Sequence, residues 1–318
     1  MACRRRDLHV EETLLSFLSI AYALECQTAK AVTNEMYCCT SAKGEYFVRV
    51  TNYKTYKEQK AELEWTAHLF EHGVGVPEII RSVKHSLLER LTVEGKERLV
   101  VVFGAAPGIH LPRSRWDASV FGALGRQIGR MHRVSQGYIA SGTTGQIGHW
   151  HESPEYDFGS AIPAEETRIH DIAIEVMAKV KALPQEESTY GLIHGDLWLE
   201  NILVDDSSRL TMIDFQDCER HYLLYDLAVP IYSALEYSYT GSGSILEYER
   251  SITQALIDGY REEHELSAEM LAHLPLMLQL KQLFDYNLMH LYWDAESLSE
   301  EQVRLLNLYR MRIERMHA

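Results

Sequence analysis

Residues 192–218 read LIHGDLWLENILVDDSSRLTMIDFQDC, and the reading of the whole chain turns on them. Leu192 and Ile193 close an apolar, strand-like run, residues 202–204 form a second, and residues 210–213 form a third. Between the last two, Asp205-Asp206-Ser207-Ser208 has turn composition, which predicts a hairpin. Such a hairpin holds Asn201 and Asp214 near each other, one before its first strand and one after its second. Asp196 then sits on the loop that leads into it. Two carboxylates and an amide oxygen converging at a sheet edge suit a hard cation. Magnesium fits this set, because it takes few protein ligands and completes its shell with water and phosphate oxygens. Asp196 is then left to accept a proton from an attacking hydroxyl. A base Asp, an Asn five positions on and an Asp-Phe thirteen further on make the layout of a phosphoryl-transfer site.

Working outward, Val10, Leu14, Phe17 and Leu18 mark one face of an amphipathic helix. Arg4, Arg5 and Arg6 precede it, but Asp7, Glu11 and Glu12 stand where a signal peptide needs uncharged residues. EMYCCT and YFVRVT flank SAKGE and read as a hairpin around Lys43-Gly44. Residues 57–72 carry Leu63, Ala67 and Phe70 at helical spacing, ended by Gly73 and Gly75. SLLERLTV and ERLVVVFG flank a turn at Glu94-Gly95-Lys96. The aperiodic segment AAPGIHLPR follows, and a lobe boundary is expected near residue 105, dividing the chain into 1–105 and 106–318. Phe121, Leu124, Ile128 and Met131 form a helical stripe. Residues 135–163 read as a long Gly/Ser/Thr/Pro-rich loop, 164–183 as helix, and nearly everything after 226 as helix.

The 318 residues are 46% hydrophobic and 24% charged, which supports a folded core of one large domain or two lobes. A net charge of −15 disfavours non-specific binding to nucleic acid or to an anionic membrane. No apolar run is long enough to span a bilayer. The five cysteines are scattered, with no CxxC, and read as reduced thiols of a cytoplasmic protein. Cys38 and Cys39, adjacent in a strand, should face opposite sides. His149-Trp150-His151 lacks a nearby third metal ligand and reads as loop surface or a substrate contact.

HGDLWLEN, IDFQDC and YDLA together resemble the aminoglycoside phosphotransferase and choline-kinase-like superfamily, relatives of protein kinases. More narrowly, they are similar to the bacterial branch with type II homoserine kinases and stress-response Ser/Thr kinases. The resemblance implies an α+β, bilobal protein-kinase-like fold, with a small antiparallel-sheet N-terminal lobe and a mostly helical C-terminal lobe. It makes Asp196 the base, Asn201 and Asp214 the magnesium ligands, and His194 and Asp226 supports of the catalytic loop. Arg49 in YFVRVT falls where relatives carry a phosphate-binding Lys, with Glu62 its helix partner and Glu64 the runner-up. Lys54 is a weaker stand-in for Arg49. Arg keeps the charge but binds phosphate oxygens with a larger, planar fork. Asn34, in the glycine-free turn VTNEMY, is expected at the phosphates, and the backbones of Phe103 and Ala105 at the adenine.

The expected activity is transfer of the γ-phosphoryl group of ATP, or GTP, with Mg2+, to a hydroxyl of an aminoglycoside-, homoserine- or choline-like molecule. A protein Ser/Thr kinase and a catalytically degenerate nucleotide-binding regulator are the alternatives. Glu236, Glu247, Glu249, Asp285, Asp294 and Glu296 accompany Tyr232, Tyr237, Tyr286 and Tyr292 as an acidic, aromatic wall for an amine-bearing acceptor. Trp293-Asp294 is its foremost pair.

Overall fold

The computed structural model describes residues 2–93, 95–138, 147–239 and 243–316. The expected turn residue Glu94 and part of the expected loop at 135–163 lie outside them. In chain order the elements begin with α1 (Ala2–Tyr22), β1 (Cys26–Ala31), β2 (Met36–Ser41), β3 (Gly44–Thr51) and α2 (Tyr56–Glu71). There follow β4 (Ile79–Ile80), β5 (Glu89–Val93), β6 (Lys96–Gly104), β7 (Ile109–His110), α3 (Ala118–Ser135), α4 (Phe158–Ala161) and α5 (Thr167–Lys181). Then come β8 (Tyr190–Ile193), β9 (Ile202–Val204), β10 (Leu210–Met212) and β11 (Glu219–Tyr222). The chain ends in α6 (Tyr225–Tyr237), α7 (Ile245–Arg261), α8 (Ala268–Leu271), α9 (Leu274–Tyr292) and α10 (Glu300–Met316). No helix among the described residues is long and apolar enough to cross a membrane.

The chain divides into two compact units. The first comprises Met1–His110, Gly137–Ile147 and Asn201–Gln216, and the second comprises Leu111–Gln136, Gly148–Glu200 and Asp217–Ala318. This grouping differs from a single cut at residue 105. The β9–β10 hairpin is grafted onto the first unit, because β7 pairs with β9 and the Met212 N–H donates to the Gly75 carbonyl at 2.8 Å.

In the first unit an antiparallel sheet runs β1-β2-β3-β6-β4, with β5 also paired to β6. Strand periodicity gives it two apolar faces. On one, Val48, Val100 and Val102 pack with Leu14, Leu18 and Tyr22 of α1. On the other, Leu99 and Val101 pack with Leu63 of α2 and with Ile79, Leu87 and Leu88. Arg49 pairs in register with Val101, so it belongs to the α2 face. A reciprocal cap starts α2: Thr55 Oγ1 accepts the Glu58 N–H at 3.4 Å, and the Glu58 carboxylate accepts the Thr55 N–H at 2.8 Å. Cys39 is buried and Cys38 half-buried, on opposite faces as expected. β9 and β10 form the expected hairpin, with Ile202 opposite Met212.

In the second unit β8 and β11 form a two-stranded ribbon. Phe121, Leu124, Ile128 and Met131 of α3 are all fully buried. α3 and α7 approach with almost no space between their backbones: a Cβ on Gly125 would lie 2.0 Å from the Leu256 carbonyl oxygen. That approach carries His132 of α3 to Tyr260 of α7, at 2.9 Å. The described end of the expected loop, 147–163, holds two 3-10 turns and the short α4.

Candidate active site

The candidate residues fall in both units, and each group is coherent within its own. In the first unit Arg49 and Glu62 are both 2% exposed and form a two-pronged ion pair, with both contacts at 2.9 Å. The register of β3 and the cap of α2 bring them together. Glu64 instead pairs with Lys60 on the half-exposed side of the helix. The Arg49 guanidinium also lies 5.6 Å from the centre of the Phe103 ring. The Lys54 ammonium donates to the carbonyl of Gln216, two residues beyond Asp214.

The Ile213 N–H donates to the Asn201 carbonyl at 2.9 Å. Asn201 and Asp214 therefore occupy the same end of the hairpin. Asp214 has φ +64°, in the left-handed region that Asp tolerates better than most residues. Its exposed carboxylate follows directly from that turn, while Phe215 is anchored edge-on against Trp65 of α2, 5.4 Å between ring centres. An amide and a carboxylate oxygen, with no thiol or imidazole, form a donor set that matches magnesium.

Asn34 lies exposed at the tip of the β1–β2 turn, which is closed by Thr33 Oγ1 accepting the N–H groups of Glu35 and Met36. Phe103 is paired on both sides, opposite Phe47 and Ile79. Ala105 lies just beyond the end of β6 and is exposed.

In the second unit the loop bearing Asp196 is tied to a fully buried Asp226. Its carboxylate accepts the His194 N–H at 2.8 Å, the Gly195 N–H at 2.9 Å and His132 Nε2–H at 3.1 Å. The chain of donors continues behind it: the Tyr260 hydroxyl donates to His132 Nδ1, and His264 Nδ1–H is shared by the Tyr260 hydroxyl and the Glu265 carbonyl. Gly195 has φ +84°, and a Cβ there would lie 2.5 Å from the Asp217 carbonyl oxygen, so only glycine fits. Asp196 emerges from this turn with its side chain 31% exposed and its N–H bonded to His194 Nδ1 at 3.3 Å. Burial pushes the Asp196 carboxyl up to about 6; Lys281 pulls it down and Asp217 pushes it up.

Lys281 is the residue that sequence reasoning missed. It is 1% exposed, 2.8 Å from Asp285 Oδ1 and 3.9 Å from Asp196 Oδ1. The rings of Trp198 and Phe284 lie 4.8 and 5.1 Å from its ammonium. A lysine inside LQLKQLFDYN, with an aspartate four positions on, was the available signal.

The expected acidic wall is largely occupied with the fold itself. Asp285 pairs with Lys281, and Glu236 with Arg312. Asp294 closes its own turn, accepting from Ser297 Oγ at 2.8 Å and the Glu296 N–H at 3.1 Å. Trp293 is the half-buried cap residue at the end of α9. The hydroxyls of Tyr286 and Tyr292 donate to Glu166 and Glu155. His149 Nδ1 bonds the Tyr190 hydroxyl at 2.8 Å, and Trp150 is buried against His221. Among the described residues no group of three His, Cys, Asp or Glu side chains is placed to hold a metal.

A tethered carboxylate, an Asn/Asp pair on a hairpin and a basic strand residue paired with a helix Glu are the parts of a phosphotransferase. The chain belongs to the APH phosphotransferase enzyme family, whose sequence profile matches residues 26–280. It is thus a small-molecule kinase by class. It is 26% identical to the amicoumacin kinase of Bacillus subtilis (strain 168) over 284 residues, covering 88% of this chain and 84% of that one. It is 23% identical to the homoserine kinase of Methylobacillus glycogenes, covering 79% of this chain and 74% of the other. A solved amicoumacin kinase in complex with AMP-PNP, Ca2+ and Ami superposes with a TM-score of 0.88 at 25% identity, over 99% of this chain and 96% of that one. The choline kinase LicA from Streptococcus pneumoniae superposes with a TM-score of 0.66 at 14% identity, over 97% and 99%. The expected α+β, protein-kinase-like fold is the fold of these neighbours.

Proposed function

We propose that the protein transfers the γ-phosphoryl group of ATP, with GTP the alternative donor, to a hydroxyl of an amine-bearing small molecule, and that the reaction needs Mg2+. The observation that carries this reading is the bond between the Ile213 N–H and the Asn201 carbonyl, which brings Asn201 and Asp214, two residues with hard oxygen donors, to one end of a hairpin. The amicoumacin kinase that superposes on this chain is in complex with a nucleotide analogue and a divalent cation. Relatives and neighbours named for homoserine, aminopropanol and choline act, by those names, on alcohols that carry a cationic nitrogen.

In this reading Asn201 and Asp214 hold the magnesium ion, which when bound offsets charge on the phosphates. Arg49, fixed by Glu62, brings positive charge to the nucleotide, and Asn34 and the backbone of Ala105 make the remaining nucleotide contacts, whereas the Phe103 backbone, expected at the adenine, lies between two paired strands. Asp196 orients the acceptor hydroxyl and takes its proton as the oxygen bonds to the γ-phosphorus and the bond from that phosphorus to the β-phosphate oxygen breaks, releasing the nucleoside diphosphate. Most of the rate then comes from positioning and electrostatics. His194 and Asp226 keep Asp196 in place.

The test is incubation with γ-labelled ATP and Mg2+ against amicoumacin, homoserine, aminopropanol, choline, an aminoglycoside and a protein lysate. Label should enter one of the small molecules with wild-type protein and not with Asp196→Asn. Label confined to protein bands would replace the acceptor assignment with a peptide hydroxyl. Full turnover by Asp196→Asn would remove the base assignment.

A further inference from the structure

We propose that Lys281 is a positioning residue for the phosphotransfer base: its buried ammonium, anchored by Asp285, holds the Asp196 carboxylate anionic and in place. The inference rests on Asp196 being that base. Its physical basis is the position of the charge. A lysine buried to 1% exposure is rare unless paired, and an apolar pair of similar volume would serve a core at least as well. Here the ammonium lies 2.8 Å from one carboxylate and 3.9 Å from a second, between two aromatic rings that keep water from it. Burial works against the charge of Lys281, yet Asp285 and Asp196 together hold its pKa above the ordinary lysine value.

The other groups facing Asp196 are His194, Asp217 and Asp285, and the hydroxyl of Tyr225 at the start of α6. Of these, Asp217 and Asp285 disfavour a charged Asp196, and His194 favours it. Lys281 is the principal group opposing the burial that would leave Asp196 protonated near neutral pH. α9 thus delivers to the loop a fixed positive charge that the HGD motif does not contain. Because Asp285 retains the ammonium at 2.8 Å, that charge stays in place when Asp196 takes the acceptor's proton.

The experiment is a carboxyl-detected NMR titration of protein labelled with [4-13C]aspartate. The resonance absent from Asp196→Asn identifies Asp196. Two variants are compared with wild type: Lys281→Met, and the paired Lys281→Met/Asp285→Leu, which leaves no buried unpaired carboxylate and so keeps the fold accessible. Thermal melts verify folding. In folded Lys281→Met the Asp196 midpoint should rise by about one unit, because the opposite charge near 4 Å that favours the carboxylate is gone, and in the paired variant it should rise by less, because Asp285, which disfavours a charged Asp196, is gone as well. With an acceptor that is turned over, the acid limb of kcat/KM should move up by the same amount, with the nucleotide KM little changed. A midpoint within 0.2 units of wild type, taken as the working resolution on the scale of ordinary shifts, overturns the proposal. Full activity in Asp196→Asn instead overturns the reading it rests on, and the titration still reports on Lys281.

Discussion

Replacing Asp226 by Asn tests most directly how the site is built. Oδ2 of this buried carboxylate accepts from both the His194 N–H and His132 Nε2–H, and Oδ1 accepts from the Gly195 N–H. Asn keeps one acceptor oxygen. In its better orientation the oxygen serves His194 and His132, and its NH2 group then opposes the Gly195 N–H, donor against donor. A hydrogen bond to a charged group contributes about 1.5–3 kcal/mol, and a buried donor left unmatched costs about 1–3 kcal/mol. One lost bond and two weakened ones put the destabilisation at about 2–4 kcal/mol. The loss falls on Gly195, whose φ of +84° directs the chain into Asp196, so kcat should fall by at least about tenfold even below the unfolding temperature. Urea unfolding, read at constant slope, measures the first effect, and steady-state kinetics the second. A variant within about 0.5 kcal/mol of wild type and with unchanged kcat would refute the tether.

Three further outcomes are expected. Arg49→Met should destabilise the first unit by about 3–5 kcal/mol, because it leaves Glu62 buried and unpaired, whereas Arg49→Met/Glu62→Leu should recover most of that stability without recovering phosphotransfer; urea unfolding and kinase assays check the two halves. Asp196→Asn should be inactive yet more stable at neutral pH. The folded carboxyl titrates at about 6 against an ordinary 3.8, so its ionisation weakens the fold as pH rises through that window. Discounted for a side chain that is 31% exposed, the gain is about 1–2 kcal/mol at pH 7.5, absent at pH 3.5, and visible as a raised melting temperature. Gly195→Ala should lose about 2 kcal/mol or more of stability and most activity, since its Cβ would stand 2.5 Å from the Asp217 carbonyl oxygen at positive φ; an active, stable Gly195→Ala protein would mean that the loop can move.

The stretch 192–218 is legible because its structure is local. Turn residues between two apolar runs suffice to define a hairpin, and the hairpin sets Asn201 beside Asp214 without help from the rest of the chain. The stripe of α3 and the span of α2 follow from periodicity in the same way. β1 and β11 are harder to see. ERHY has a strand's geometry only because β8 lies beside it, and its own composition carries no alternation of apolar and polar residues. The boundary at residue 105 misses the union of β7 with β9, a pairing between distant segments that no local pattern encodes.

The sequence by itself determined the reaction class, through Asp196, Asn201 and Asp214 at their spacing, and the elements that carry them. Only the tertiary structure decided what each charge faces. Asp285 reads as an open acidic wall in the sequence, and in the folded chain it belongs to Lys281. Arg49 reads as a strand residue whose face no local pattern fixes, and strand register turns it inward onto Glu62. Spacing specifies neighbours one turn or one strand residue away, whereas the field at a buried carboxylate is the sum over groups that come together only when the helices pack.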